Sequence, residues 1–398
     1  MTDSPDRLDR FDQFDRLVAE AAALRPLLRE HATKADADRR MADEVDAALT
    51  EAGFFRLMTP KRFGDHEVDL RTLLAVTETL GEADGSAAWL VAVGAAAGWL
   101  ASRFSEQSRQ EVFGAGSPPR FAGGNAELPA RKVDGGLRLS GRWPYSSGAD
   151  RASWATLGSA VADESGQIVG AAMSLVPASE LTMERTWRTV GMRATASETW
   201  VADDVFVPEY RILPLGEIFA GLEPFPVDGP SYRLPLGPVA TLPLLGPVLG
   251  AAKAVLDIVV AKAPTKGMHH TFFAKQTESV GVHIQIGEAA MRLKTARLLC
   301  YDVADVLDTA ARQDTPVTYE IRAEIRAQLS HAAQEALTAI NTLINVHGAG
   351  AFAEASRVQQ FWRDANTAAR HAALNSFVSY EVLGKDLLGI EEQISPAL

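Results

Sequence analysis

The sequence is poor in the features that mark several large classes of protein. Its 398 residues include one cysteine, Cys300. No disulfide can form within the chain, and a reducing, cytoplasmic setting is expected. Set in an apolar helical run, that thiol reads as a small buried hydrophobe. Basic residues are outnumbered, with 39 Lys and Arg against 51 Asp and Glu, for a net charge of −12. Phosphate neutralisation needs a basic face, so no nucleic-acid partner is expected, and no anionic membrane surface. The first residues, MTDSPDRLDRFDQ, are charged throughout and lack an apolar export core. One tempting span, Ser86–Ser102, falls short of the ~20 residues that cross a bilayer and is rich in alanine. It reads as a packed helix, and no membrane partner is expected.

Catalytic signatures are also missing. His269 and His270 are adjacent and would point apart in a regular helix, while His283 and Glu288 do not have HExxH spacing, so no metal is expected. No G-x-S-x-G is present. Ser147 and His371 are a pair the fold could bring together, but no orienting acid is identifiable, which leaves dyad hydrolysis as an alternative. HGAGAFA, at His347–Ala353, fits the dinucleotide fingerprint at Gly348, Gly350 and Ala353, with Asp364 downstream. That fingerprint needs a strand before it and a helix after it. Here a long helix precedes, so a glycine turn between helices is expected, with backbone N–H groups offered to an anion.

What is present divides by period. Hydrophobic residues make up 47% of the chain, enough for a large core. Residues 1–117 repeat at helical spacing (Ala21, Leu24, Leu28; Leu73, Leu74, Val76, Leu80), and Asp84 and Ser86 suit a helix start before Trp89. Residues 118–230 carry short alternating runs punctuated by Gly, Pro, Asp and Ser, the pattern of an antiparallel sandwich or small barrel. They lead into a Pro- and Gly-rich linker over Gly221–Pro243. From 231 to 398 helical spacing returns in long pieces. One helix is expected from about Phe273 to Ala311, and another follows the stripe Ile321, Ile325, Leu329, Ala333, Leu337, Ile340 and Ile344, as in a four-helix bundle. The fold class is α+β, mostly α.

Within the β region the hairpin GRWPYSSGADRASW sets Trp143, Tyr145 and Trp154 beside Ser146, Ser147 and Gly148. Rings in the core and a plain turn would explain it equally well. His371, in RDANTAARHAALNSF, lies among alanines that leave room for a ligand, and an imidazole titrates near neutrality.

The order of helices, sheet and helices resembles the acyl-CoA dehydrogenase fold. Within it, GEADGSAAW, GRWPYSSGADRASW, VGMRATASETWVADDVFVPEYR, VHGAGAF and FWRDANTAARHAALN resemble the two-component flavin-dependent monooxygenases. These include aromatic and polyketide hydroxylases, sulfur oxygenases and amino-sugar N-oxygenases. The resemblance implies reduced FMN or FAD delivered by a separate NAD(P)H-flavin reductase. It also implies O2, a C4a-hydroperoxide that must be shielded from water, a small-molecule substrate, and a homotetramer built on the C-terminal helices.

Carried over, the resemblance sets Ser146 or Ser147 at the flavin N5/O4 edge, with Gly148 allowing close approach. Asn125 of FAGGNAE falls on the neighbouring loop, and His371 lies near the reacting carbon as base or hydrogen-bond donor. Trp143, Gly348 and Lys275 are further cofactor candidates, and Phe121, Tyr145 and Trp89 would face substrate. An aromatic metabolite is expected, with amino-sugar N-oxygenation as an alternative. A second alternative is an acyl-CoA dehydrogenase with Glu381 as base. However, SFVSYEVLGKDLLG reads as continuous helix, and GMHHTFFAKQ replaces the usual arginine-rich diphosphate segment. A flavin-free helical scaffold is the non-enzymatic alternative.

Overall fold

The computed structural model describes residues 5–64, 66–114, 116, 118–126, 128–220 and 229–395. Five helices come first: α1 (Pro5–Asp38), α2 (Asp43–Glu51), α3 (Leu70–Gly81), α4 (Gly85–Ala101) and α5 (Glu106–Phe113). Side chains start several of them. Asp69 accepts Thr72 N at the head of α3, and Asp84 accepts Ala87 N at the head of α4, each satisfying a backbone donor that the helix leaves unpaired. Helix α4 is apolar all round and buried except along the half-buried face of Val93, Ala96 and Ala97. Its glycines admit neighbours: an added Cβ would lie 3.3 Å from Phe55 at Gly94 and 2.8 Å from Thr59 Oγ1 at Gly98.

The β region is β1 (Phe121–Asn125), β2 (Ala130–Val133), β3 (Gly136–Ser146), β4 (Trp154–Ala162), β5 (Ile168–Pro177), β6 (Thr182–Glu184), β7 (Glu198–Pro208) and β8 (Ile212–Pro214). The expected central β domain is present, its eight strands hydrogen-bonded in the order β6-β7-β3-β2-β4-β5-β8, with β1 beside β4. It is mostly antiparallel, but β1 and β2 both run parallel to β4. Its own core includes Leu137, Leu139, Trp143, Leu157 and Trp200.

Helices α6 (Leu215–Ala220), α7 (Leu236–Thr241), α8 (Leu245–Lys262), α9 (Val280–Gln313), α10 (Tyr319–His347), α11 (Arg357–Ala368) and α12 (Ser376–Leu387) complete the chain. The Pro-rich stretch expected as a linker is helical from Leu236, and the part over 221–228 lies outside the described residues. The helix expected from Phe273 begins at Val280, where Ser279 caps it, and His269 and His270 lie in the loop before it. The apolar stretch most able to span a membrane by length is Leu236–Lys262, not Ser86–Ser102. It is mostly buried in the bundle. Ile325, Leu329, Ala333, Leu337, Ile340 and Ile344 form the buried stripe of α10, and Cys300 is buried on α9, where burial pushes its thiol up. Helices from both ends of the chain share one core, in which Leu73 and Leu80 join Val248, Leu329 and Phe361.

Candidate active site

The hairpin after Trp143 is bent by a bulge. Trp143 pairs with Trp200 and Ser146 with Glu198, so β3 spends one residue more than β7 over this step. The extra residue is absorbed at Tyr145, whose φ is 62°. Bulges re-aim side chains, and this one separates the two serines. Ser146 is fully buried and donates to Trp143 O at 3.0 Å, so its hydroxyl serves the hairpin itself. Ser147 is half-buried and turns toward α4, where Trp89 Nε1 donates to its Oγ at 3.1 Å. Gly148 follows in the left-handed region, at φ 78°, with its N–H on Thr195 O at 2.8 Å. A Cβ there would be strained and would lie 3.2 Å from Leu90.

His371 arrives from the other end of the chain. The sequence suggests a helical position, but α11 ends at Ala368 and His371 heads the short turn Ala372–Leu374. Its ring lies edge-on to Trp89, with centroids 5.8 Å apart. Ser147 and His371 therefore meet the same indole, one by a hydrogen bond and the other by a ring contact. His371 Nδ1 accepts Ala373 N at 3.2 Å. That contact places the neutral ring's proton on Nε2, as a donor. The ring reaches solvent, yet the protein crowded around it pulls its pKa below the ordinary 6.5.

The segment Trp187–Ser197 closes the other side and is held from several directions. Arg39 donates to Trp187 O and Thr189 O at 3.3 and 3.2 Å. Arg363 donates to Val190 O, and Asp364 accepts Met192 N at 2.6 Å. Asp36 pairs with both Arg363 and Arg193. Asp364 is buried, and burial beside Asp84 pushes its carboxyl up to about 7. The segment so fixed delivers Ser197 Oγ to Ser147 Oγ at 2.7 Å and Thr195 Oγ1 to Ser197 Oγ at 2.6 Å.

The remaining sequence candidates fall elsewhere. Trp143 is not an open wall: it is 1% exposed in the core of the sheet and donates to Gly158 O. Phe121 is buried against Phe113. Tyr145 is 71% exposed and meets Trp187 edge-on at 6.1 Å. Asn125 is exposed at the end of β1, its amide over Gly158, where an added Cβ would sit 2.1 Å from Oδ1. Gly348 ends α10 at φ 72° in the expected turn between helices. Lys275 lies on an exposed loop, which Gln276 ties to Val346 O. Glu381 is exposed within α12, a continuous helix as expected.

Sequence reasoning missed Thr195, Ser197, Trp187 and Asp364 as site residues. The first three lie in or beside VGMRATASETW, where alternate hydroxyls at Thr195, Ser197 and Thr199 were the available signal. The groups around Trp89 fit a flavin edge: a hydroxyl with a spare lone pair, an imidazole N–H, and a glycine without a side chain beside them.

The family described as acyl-CoA dehydrogenase, N-terminal domain, matches residues 14–114, and acyl-CoA dehydrogenase, C-terminal domain, matches 244–376. The flavin-dependent monooxygenase, oxygenase subunit HsaA, of Rhodococcus jostii is 31% identical over 92% of this chain and 97% of its own. The FADH(2)-dependent resorcinol hydroxylase, oxygenase component, of a Rhizobium species is 29% identical over 94% of this chain and 95% of its own. Among solved structures, XiaF from a Streptomyces species in complex with FADH2 and glycerol has a TM-score of 0.94 at 33% identity. That match covers 99% of this chain and 100% of the other.

Proposed function

For a chain that belongs to the acyl-CoA dehydrogenase family, among its flavin-dependent monooxygenase oxygenase subunits, we propose hydroxylation of a small aromatic or polyketide-type metabolite by reduced flavin and O2. The chain is an oxygenase component, and its reduced FAD or FMN comes from a separate flavin reductase. When bound, the reduced ring supplies the electrons that activate oxygen. The protein's share is to bind, orient and exclude water.

One observation carries the assignment: Ser147 of the β region and His371 of the turn after α11 meet on Trp89. Ser147, backed by Gly148, would hold the N5 edge of the ring, with Asn125 at the neighbouring loop. Trp89 fixes the Ser147 rotamer, and with Trp187 and Tyr145 it supplies aromatic surface against water. His371 Nε2–H would donate to the oxygen that bound reduced flavin activates. Its neutral, Nδ1-accepting form favours this role over that of base. The dehydrogenase reading lacks support from Glu381, which is exposed in the middle of α12.

The reading extends to assembly. Val280, Ile284, Met291 and Leu298 are exposed on α9 at spacings of four and seven, which puts them on one face. Such an apolar stripe suits a second copy of this chain, within a homotetramer built on the C-terminal helices.

Anaerobic titration with reduced FMN and reduced FAD, followed by mixing with oxygen and a panel of phenols, tests the assignment. Reduced flavin should bind, and at least one phenol should be hydroxylated. A chain that binds no reduced flavin refutes the reading.

A further inference from the structure

Three hydroxyls stand in a row behind the Trp89 indole. Ser147 Oγ lies 2.7 Å from Ser197 Oγ, which lies 2.6 Å from Thr195 Oγ1, which lies 2.8 Å from the main-chain oxygen of Met192. At the other end of the row, Trp89 Nε1–H donates to Ser147. Each hydroxyl has one proton to give, so of the several ways the row can be wired, two run in one sense along its whole length.

In the first sense Thr195 donates to Met192 O, Ser197 donates to Thr195, and Ser147 donates to Ser197. Every contact in the row is then a hydrogen bond. Ser147 takes the Trp89 proton on one lone pair and keeps the other without a partner among the described residues. In the opposite sense Ser147 receives both Trp89 and Ser197, and its own proton points out of the row. Met192 O loses Thr195 Oγ1 and keeps Trp187 Nε1 at 2.8 Å and the longer Thr195 N at 3.2 Å. The first sense makes one more bond inside the protein and ends it on a carbonyl, a better acceptor than a hydroxyl oxygen. It leaves Ser147 as an acceptor.

We propose that Thr195 and Ser197 are positioning residues that fix this polarity, so that the site reads a ligand N–H at Ser147 and thereby selects reduced over oxidised flavin. The inference rests on the flavin reading of the site. Reduced isoalloxazine carries a proton on N5 and complements an acceptor. Oxidised isoalloxazine presents a bare N5 lone pair, which meets the Ser147 lone pair unless Ser147 turns its proton out of the row and gives up its bond to Ser197. The discrimination belongs to residues that need not touch the ring themselves.

The test uses the full-length protein with Thr195→Val, Ser197→Ala and Thr195→Ser. Dissociation constants for reduced flavin, measured anaerobically, and for oxidised flavin are compared in each. The wild type should favour the reduced ring. In Thr195→Val and Ser197→Ala the ratio of oxidised to reduced dissociation constant should fall about fivefold, the worth of one hydrogen bond. Thr195→Ser, which keeps the hydroxyl, should restore it. A ratio unchanged in both variants, or equal weakening of both redox states, overturns the inference and leaves the flavin reading standing. A wild type that binds both redox states equally does the same. A wild type that binds no flavin refutes both.

Discussion

The Asp364 carboxylate on α11 accepts the backbone N–H of Met192 at 2.6 Å, across 172 positions of sequence. The bond ties the bundle to the segment that carries Thr195 and Ser197, and it is made by a buried acid. Burial raises the folded carboxyl to about 7 from an ordinary 3.8. The folded state therefore holds its proton more tightly than the unfolded chain does. Stability from this group is full below about 3.8 and is lost as pH rises through about 7. Asp364→Asn keeps an acceptor and removes the ionisation. Thermal midpoints taken from pH 4 to 8 should fall less with rising pH in Asp364→Asn than in the wild type. Asp364→Ala leaves the Met192 N–H unpaired and should cost about 1–3 kcal/mol in urea unfolding.

His371 behaves in the opposite way. Its folded pKa lies below 6.5, so folding favours the neutral ring, and stability falls as pH drops below about 6.5. Protonation at Nδ1 would also break the contact from Ala373 N. The fraction of flavin oxidation that yields hydroxylated product, rather than hydrogen peroxide, should fall on the acid side of neutrality. His371→Gln should lower that fraction by about 10²-fold or more and abolish its pH dependence. Coupling that matches the wild type would remove His371 from the chemistry.

Trp89 serves both partners at once. Trp89→Phe keeps a ring against His371 and removes the donor to Ser147. The loss of one hydrogen bond, about 1 kcal/mol, should weaken reduced-flavin binding about fivefold by fluorescence titration, with the fold intact by circular dichroism. Trp89→Ala should instead destabilise the protein by about 3–5 kcal/mol, because it opens a cavity in α4.

Gly191 packs where no side chain fits: an added Cβ would lie 2.2 Å from Arg363 O. Gly191→Ala should push the Trp187–Ser197 segment away from α11 and lower both stability and flavin affinity. Chemical denaturation and flavin titration on one preparation check the two effects together.

If α9 carries the subunit interface, Met291→Glu with Leu298→Glu should shift the mass measured by light scattering toward dimer or monomer. An unchanged mass would place the contact elsewhere.

Much of the fold could be read from local pattern, because helices and strands impose their periods on whatever covers the core. The stripe on α10, the cap at Asp84, the turn at Gly348 and the continuous helix through Glu381 all follow from residues within a few positions of one another. The strand order did not. It depends on pairings such as β1 and β2 alongside β4, between segments that carry no mark of one another.

The same division runs through the site. Sequence alone determined that a hydroxyl-rich hairpin and a late histidine were available, in a chain with one cysteine and no G-x-S-x-G. Tertiary structure decided which hydroxyl faces Trp89, because the bulge at Tyr145 buries Ser146 against its own hairpin and turns Ser147 toward α4. It also decided that Trp143 is core while Trp89 is shared, and that Asp364, Thr195 and Ser197 belong to the site at all. Those assignments depend on where groups far apart in sequence come to rest, from Ser147 and Ser197, 50 positions apart, to Met192 and Asp364, 172 apart, and Trp89 and His371 farther still. Directional bonds form only once packing has fixed both partners.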